Sequence, residues 1–86
     1  VLGSRGLGDV YKRQEDGLYF YREIVAQAGE YLEQGGWLCF EIGYDQGEAL
    51  KEMMTEAGYG QVKIIKDLAG LDRVAIGQKN NNWNAF

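Results

Sequence analysis

Hydrophobic positions along this chain change period four times, and the changes divide it into five predicted elements. Over residues 16–33, Leu18, Tyr21, Ile24, Val25, Ala28, Tyr31 and Leu32 recur at spacings of three and four, with Arg22, Glu23, Gln27 and Glu30 on the other side. That spacing predicts a helix with one sheet-packing stripe. Asp16 is placed to cap its start, and Gly35 and Gly36 supply the left-handed positions that end it.

The next stretch, residues 37–42, is Trp-Leu-Cys-Phe-Glu-Ile, an almost unbroken apolar run bounded by glycines. Such a run predicts a strand covered on both faces, as in a parallel α/β sheet. Alternation puts Leu38, Phe40 and Ile42 on one side and Trp37, Cys39 and Glu41 on the other, with Cys39 expected as inert core. Glu41 is the odd member: a carboxylate there is either at the solvent edge or held by donors. Asp45 and Glu48 then have capping-box spacing, which predicts a second helix over 46–57 that buries Ala49, Leu50, Met53, Met54 and Ala57. Glu48, Glu52 and Glu56 form a row on its other face, read as solvated.

Residues 61–66 and 73–78 read as two further strands, joined through Asp67-Leu68-Ala69-Gly70-Leu71-Asp72 as an antiparallel hairpin. The expected fold class is therefore α/β, in the order helix, parallel strand, helix, strand, antiparallel strand. With a right-handed crossover the first two strands run the same way, so residues 43–46 and the hairpin turn meet on one rim at the strands' carboxyl ends. Open α/β sheets place ligands there. Glu41, Tyr44, Gln46, Asp67, Asp72 and Arg73 are the candidate residues of that rim. The plainer reading of Asp67, Asp72 and Arg73 is that they fix the turn by local bonds and ion pairs.

The two ends stand apart from this pattern. Residues 1–14 have neither period; Gly3, Gly6 and Gly8 lack the preceding strand that a phosphate loop requires, and the segment resembles a translated adapter or vector scar. Residues 15–79 are expected to hold the domain, and 80–86, rich in Asn, to form a disordered tail from which Trp83 and Phe86 can fold back on the sheet.

Composition narrows the chemistry by subtraction. The 86 residues include no His and no Pro, one Cys, and only Ser4 and Thr55 as aliphatic alcohols. Catalytic pairs built on histidine, histidine metal sites and a two-thiol metal site are excluded, and a hydroxyl nucleophile is improbable. Without the first 14 residues the chain carries 6 basic and 12 acidic side chains, an acidity that argues against a nucleic-acid-binding face. No apolar run is long enough to span a membrane and no leader is evident, so the expectations are no membrane, no metal and a cytoplasmic location. The short length and the missing initiating Met favour a fragment.

Three blocks of sequence carry a resemblance. Glu15-Asp16-Gly17-Leu18-Tyr19-Phe20-Tyr21-Arg22, Glu41-Ile42-Gly43-Tyr44-Asp45-Gln46-Gly47-Glu48-Ala49 and Lys66-Asp67-Leu68-Ala69-Gly70-Leu71-Asp72-Arg73-Val74 resemble the C-terminal part of the release-factor N5-glutamine methyltransferases. These are class I, Rossmann-like enzymes that use S-adenosylmethionine. The resemblance implies a parent enzyme that methylates the glutamine of a Gly-Gly-Gln motif in a peptide chain release factor, its partner. It also implies an Asn-Pro-Pro-Tyr motif and a Gly-rich cofactor loop, and this chain has neither. No catalytic or cofactor-binding residue transfers, and the fragment alone is expected to be inactive. The alternative is a small non-enzymatic α/β binding or regulatory module, which would fold stably by itself.

Overall fold

The computed structural model describes residues 17–83. Its elements are α1 (Tyr19–Tyr31), β1 (Trp37–Glu41), α2 (Gly47–Glu56), β2 (Gly60–Lys66) and β3 (Asp72–Gln78). All five predicted elements form, with shorter helices than the sequence suggests. The expected cap Asp16 lies outside the described residues; Leu18 occupies the N-cap position of α1, without a side-chain cap bond. At the other end Leu32 is already extended, and Gly35 turns the chain at φ +86°.

The sheet has the order β1-β3-β2, and both pairings are antiparallel. β1 and β2 thus run the same way, as the crossover argument requires, but β3 lies between them and no parallel pair forms among the described strands. The central strand is the one with small residues facing the helices. Ala75 is fully buried, and a Cβ at Gly77 would stand 2.7 Å from Met54 Cε. That space lets α2 lie close over β3, with Leu50, Met54 and Ala57 wholly buried against the sheet.

Only one face of the sheet is covered among the described residues. Leu38, Phe40, Val62 and Ile64 join the core cluster of Val25, Ile42, Leu50, Met54, Ala57, Tyr59 and Ala75 beneath the helices. On the opposite face the register aligns Cys39 with Ile76 and Lys63, and Glu41 with Val74 and Ile65. Trp37 is 47% exposed there and Ile65 49%. Two expectations are corrected: β1 is not covered on both sides, and Cys39 is exposed rather than core. The physical reason is the same for both, since α1 and α2 pack on one face and supply no cover to the other. Tyr31, assigned to the apolar stripe of α1, is 73% exposed at the helix end.

Several long-range bonds close the fold. The Tyr59 hydroxyl donates to Val25 O at 2.9 Å, tying the α2–β2 connection to α1. Tyr21 donates to Glu41 O at 3.1 Å, and its ring stacks on Phe40 at 5.4 Å. Past β3, Lys79 exchanges backbone bonds with Gly35 and Gly36 and donates from Nζ to Leu32 O. Its ammonium also sits 4.9 Å from the centre of the Trp83 ring, which lies against Gly29 of α1. Phe86 lies outside the described residues.

Candidate functional site

The rim at the carboxyl ends of β1 and β2 is built from two loops joined by backbone and side-chain bonds. Residues 43–46 form a tight turn: Gln46 N–H donates to Gly43 O at 3.0 Å, and Gly43 N–H donates to Gln46 Oε1 at 2.7 Å. Gln46 is thereby turned inward and occupies the N-cap position of α2 without capping it through its side chain. The capping box expected of Asp45 and Glu48 does not form. Its place is taken from another element, because Asp72 at the start of β3 accepts the N–H of Gly47, the first residue of α2, at 2.9 Å.

Asp72 is the buried charge of the rim, 9% exposed. Its second oxygen accepts from Lys66, its cross-strand partner at the end of β2. Chiefly because of that bond, and further through Gly47 N–H, its carboxyl is held below the usual range. Asp67 is similarly engaged. Its Oδ1 accepts from Ala69 N–H at 2.9 Å and Leu71 N–H at 3.0 Å, and its Oδ2 accepts from Arg73 Nε at 2.7 Å. The Leu71 N–H, then the Arg73 guanidinium, lower its pKa. The two pairs cross-link the ends of the hairpin, which is what the plainer reading of these residues predicts.

The six candidate residues are therefore brought to one end of the sheet but not into one cluster. Asp67 and Arg73 form a pair, Asp72 belongs with Lys66 and Gly47, and Gln46 closes its own turn. Tyr44 is 63% exposed, and Glu41 lies at the exposed edge of the uncovered face. Sequence reasoning missed Lys66 and Gly47. The signal for Lys66 was available in the mirrored charges Lys66-Asp67 and Asp72-Arg73 around the turn; for Gly47 there was none, because its partner is remote in the chain.

A separate groove of about 480 Å³ lies between the helices. Leu18, Val25, Ala26, Ala49 and Met53 line it, with Arg22, Glu23, Glu52 and Glu56. Glu48, Glu52 and Glu56 are all exposed, as a solvated row should be. No helix among the described residues is long and apolar enough to cross a membrane.

Comparison with known proteins decides the family. The chain is 46% identical over 78 residues to a release factor glutamine methyltransferase of Pseudomonas aeruginosa, a match that covers 91% of this chain and 24% of the relative. It is 48% identical over 65 residues to the enzyme of that name from Clostridium botulinum, covering 76% of this chain and 23% of the relative. The chain belongs to the release factor glutamine methyltransferase family. The relative from Fusobacterium nucleatum agrees, at 45% identity over 64 residues, 74% of this chain and 18% of the relative. The chain thus spans about a fifth to a quarter of the length of these release factor glutamine methyltransferases. No family model matches it.

Proposed function

We propose that this chain is the C-terminal part of the catalytic domain of an enzyme that transfers a methyl group from S-adenosylmethionine to the glutamine side-chain amide of a Gly-Gly-Gln motif in a peptide chain release factor. The observation that carries the reading is the 46% identity across 78 residues with the Pseudomonas relative. The fold supports it. β1 and β2 run the same way on either side of an antiparallel β3, and both helices lie on one face. In a Rossmann-like parent the free edge of β1 would continue into parallel strands, and further helices would cover Trp37, Cys39, Val74 and Ile76.

The residues present do not by themselves fit the methyl donor. The rim carboxylates Asp67 and Asp72 are engaged by Arg73, Lys66 and backbone N–H groups. The turn of residues 43–46 is closed on itself by Gln46, so that among the described residues Gln46, Asp67 and Asp72 already have partners within the rim. This part of the parent supplies framework beside the reaction centre, and the chain alone is inactive. The cytoplasm, where release factors work, is its expected location.

The test begins with the reading frame upstream of codon 15 in the source genome, which should encode a Gly-rich loop after a strand and then Asn-Pro-Pro-Tyr. The full-length product, incubated with S-adenosylmethionine and the release factor of the same genome, should add one methyl group to the Gly-Gly-Gln peptide by mass spectrometry. A start codon near Glu15, or a full-length product that leaves the factor unmodified, would sink the reading.

A further inference from the structure

Past β3 the chain turns back and seats one aromatic ring in a slot made of bare backbone. A Cβ at Gly29 would collide with the Trp83 indole, one at Gly58 with the carbonyl oxygen of Asn82, and one at Gly60 with the side-chain amide of Asn80. The three glycines belong to different elements: Gly29 to α1, Gly58 to the turn just past α2, and Gly60 to the start of β2. With no side chain at any of them, residues 80–83 lie flush against the fold, where even three methyl groups would lift them off. Tyr59, buried between two of these glycines in the chain, lies beside the indole and turns its hydroxyl to Val25 O.

The segment is built more like a ligand than like a strand. Beyond Lys79 its bonds are local: Trp83 N–H donates to Asn80 O at 3.1 Å, and Asn82 N–H to Asn80 Oδ1 at 2.9 Å. The turn is therefore closed on its own account, which lowers the ordering cost of docking it. Its anchor is the ring on Gly29, with the Lys79 ammonium 4.9 Å from the ring centre. That ring is held by shape, because among the described residues its buried Nε1–H has no aligned acceptor. An unpaired buried donor weakens the closed state against an open one in which water takes the N–H. A self-contained turn, one anchor and one unpaired donor describe a contact that opens more readily than the whole fold.

We infer that residues 79–83 are a detachable strap with Trp83 as its ligand in cis, and that the slot beneath is a binding site for an indole or a similar fused aromatic ring. The inference does not depend on the release-factor reading. Two measurements on the full chain test it. In native-state hydrogen exchange by NMR, with the two indole signals assigned through Trp37→Phe, the Trp83 Nε1–H should exchange roughly tenfold or more faster than the slowest amides of β3. Exchange at the rate of global unfolding would overturn detachment, and this readout needs no change in the slot. Trp83→Ala should lower the thermal midpoint, and free indole should raise it again, saturably, by roughly 5 °C. Wild type should not respond, and adding Gly29→Val, which fills the slot, should abolish the response. Indole that leaves Trp83→Ala unshifted or unfolded overturns the site. So does a shift that wild type shares or that survives Gly29→Val, since the ring then binds elsewhere. A dimer that requires Trp83, seen by sedimentation velocity, would put the strap of one copy in the slot of another and overturn occupancy in cis.

Discussion

Asp72 at the start of β3 caps α2 from 25 residues away, accepting the Gly47 N–H at 2.9 Å while its other oxygen takes the Lys66 ammonium. A helix N-terminus leaves several N–H groups without partners, and here a strand supplies the acceptor that the local sequence does not. The same contact fixes the hairpin to the helix, so one carboxylate joins three elements.

The pH dependence of stability follows from that contact. Lys66 and Gly47 lower the Asp72 carboxyl from its ordinary 3.8, so its stabilising contribution is complete above that value and is lost as pH falls through the lowered pKa. Asp72→Asn should reduce the thermal midpoint at neutral pH and flatten its decline in acid. Thermal unfolding followed by circular dichroism across acidic buffers measures both effects, and parallel acid profiles for the two proteins would contradict the assignment.

Gly29 should resist substitution because Trp83 occupies the space a Cβ would need. Gly29→Ala is expected to cost about 1–3 kcal/mol by overpacking. In a Trp83→Ala background the same change should be neutral or stabilising, since alanine is the better helix former by about 1 kcal/mol. Urea titrations of the four proteins in this cycle test the coupling; additive effects would mean that the indole does not sit on Gly29.

Tyr59 should behave as a buried phenol. Tyr59→Phe removes the bond to Val25 O and should cost about 0.5–1.5 kcal/mol. Burial is the main cause of its raised pKa, so the folded state holds this proton more tightly than the unfolded one. Its contribution is complete below the ordinary value of 10.0 and is lost as pH rises through the raised pKa. Absorbance titration of tyrosinate should show one residue ionising late in the wild type and missing in the variant.

The uncovered sheet face predicts self-association. Trp37 and Ile65 are about half exposed there, beside Cys39 and the outer edge of β1, a combination that favours edge and face pairing between copies. Sedimentation velocity on the chain should show mass rising with concentration, and Trp37→Lys with Ile65→Lys should suppress it. A monomer at all concentrations would favour a free-standing module.

The hydrophobic periods of this sequence were enough to locate both helices and all three strands, because a period of 3.6 or 2 is imposed by backbone geometry within each segment. The paired charges around the hairpin turn were likewise local. Three blocks of residues carried the family, and the matched relatives bear it out. Beyond the hairpin and the common direction of β1 and β2, the sequence did not determine how the segments pack. It did not place β3 between β1 and β2, give the capping of Gly47 to Asp72 instead of Asp45, leave Cys39 exposed or set Trp83 on Gly29. Those were decided by which faces α1 and α2 could cover and by the room that Gly29, Ala75 and Gly77 leave, quantities that exist only once the elements have packed.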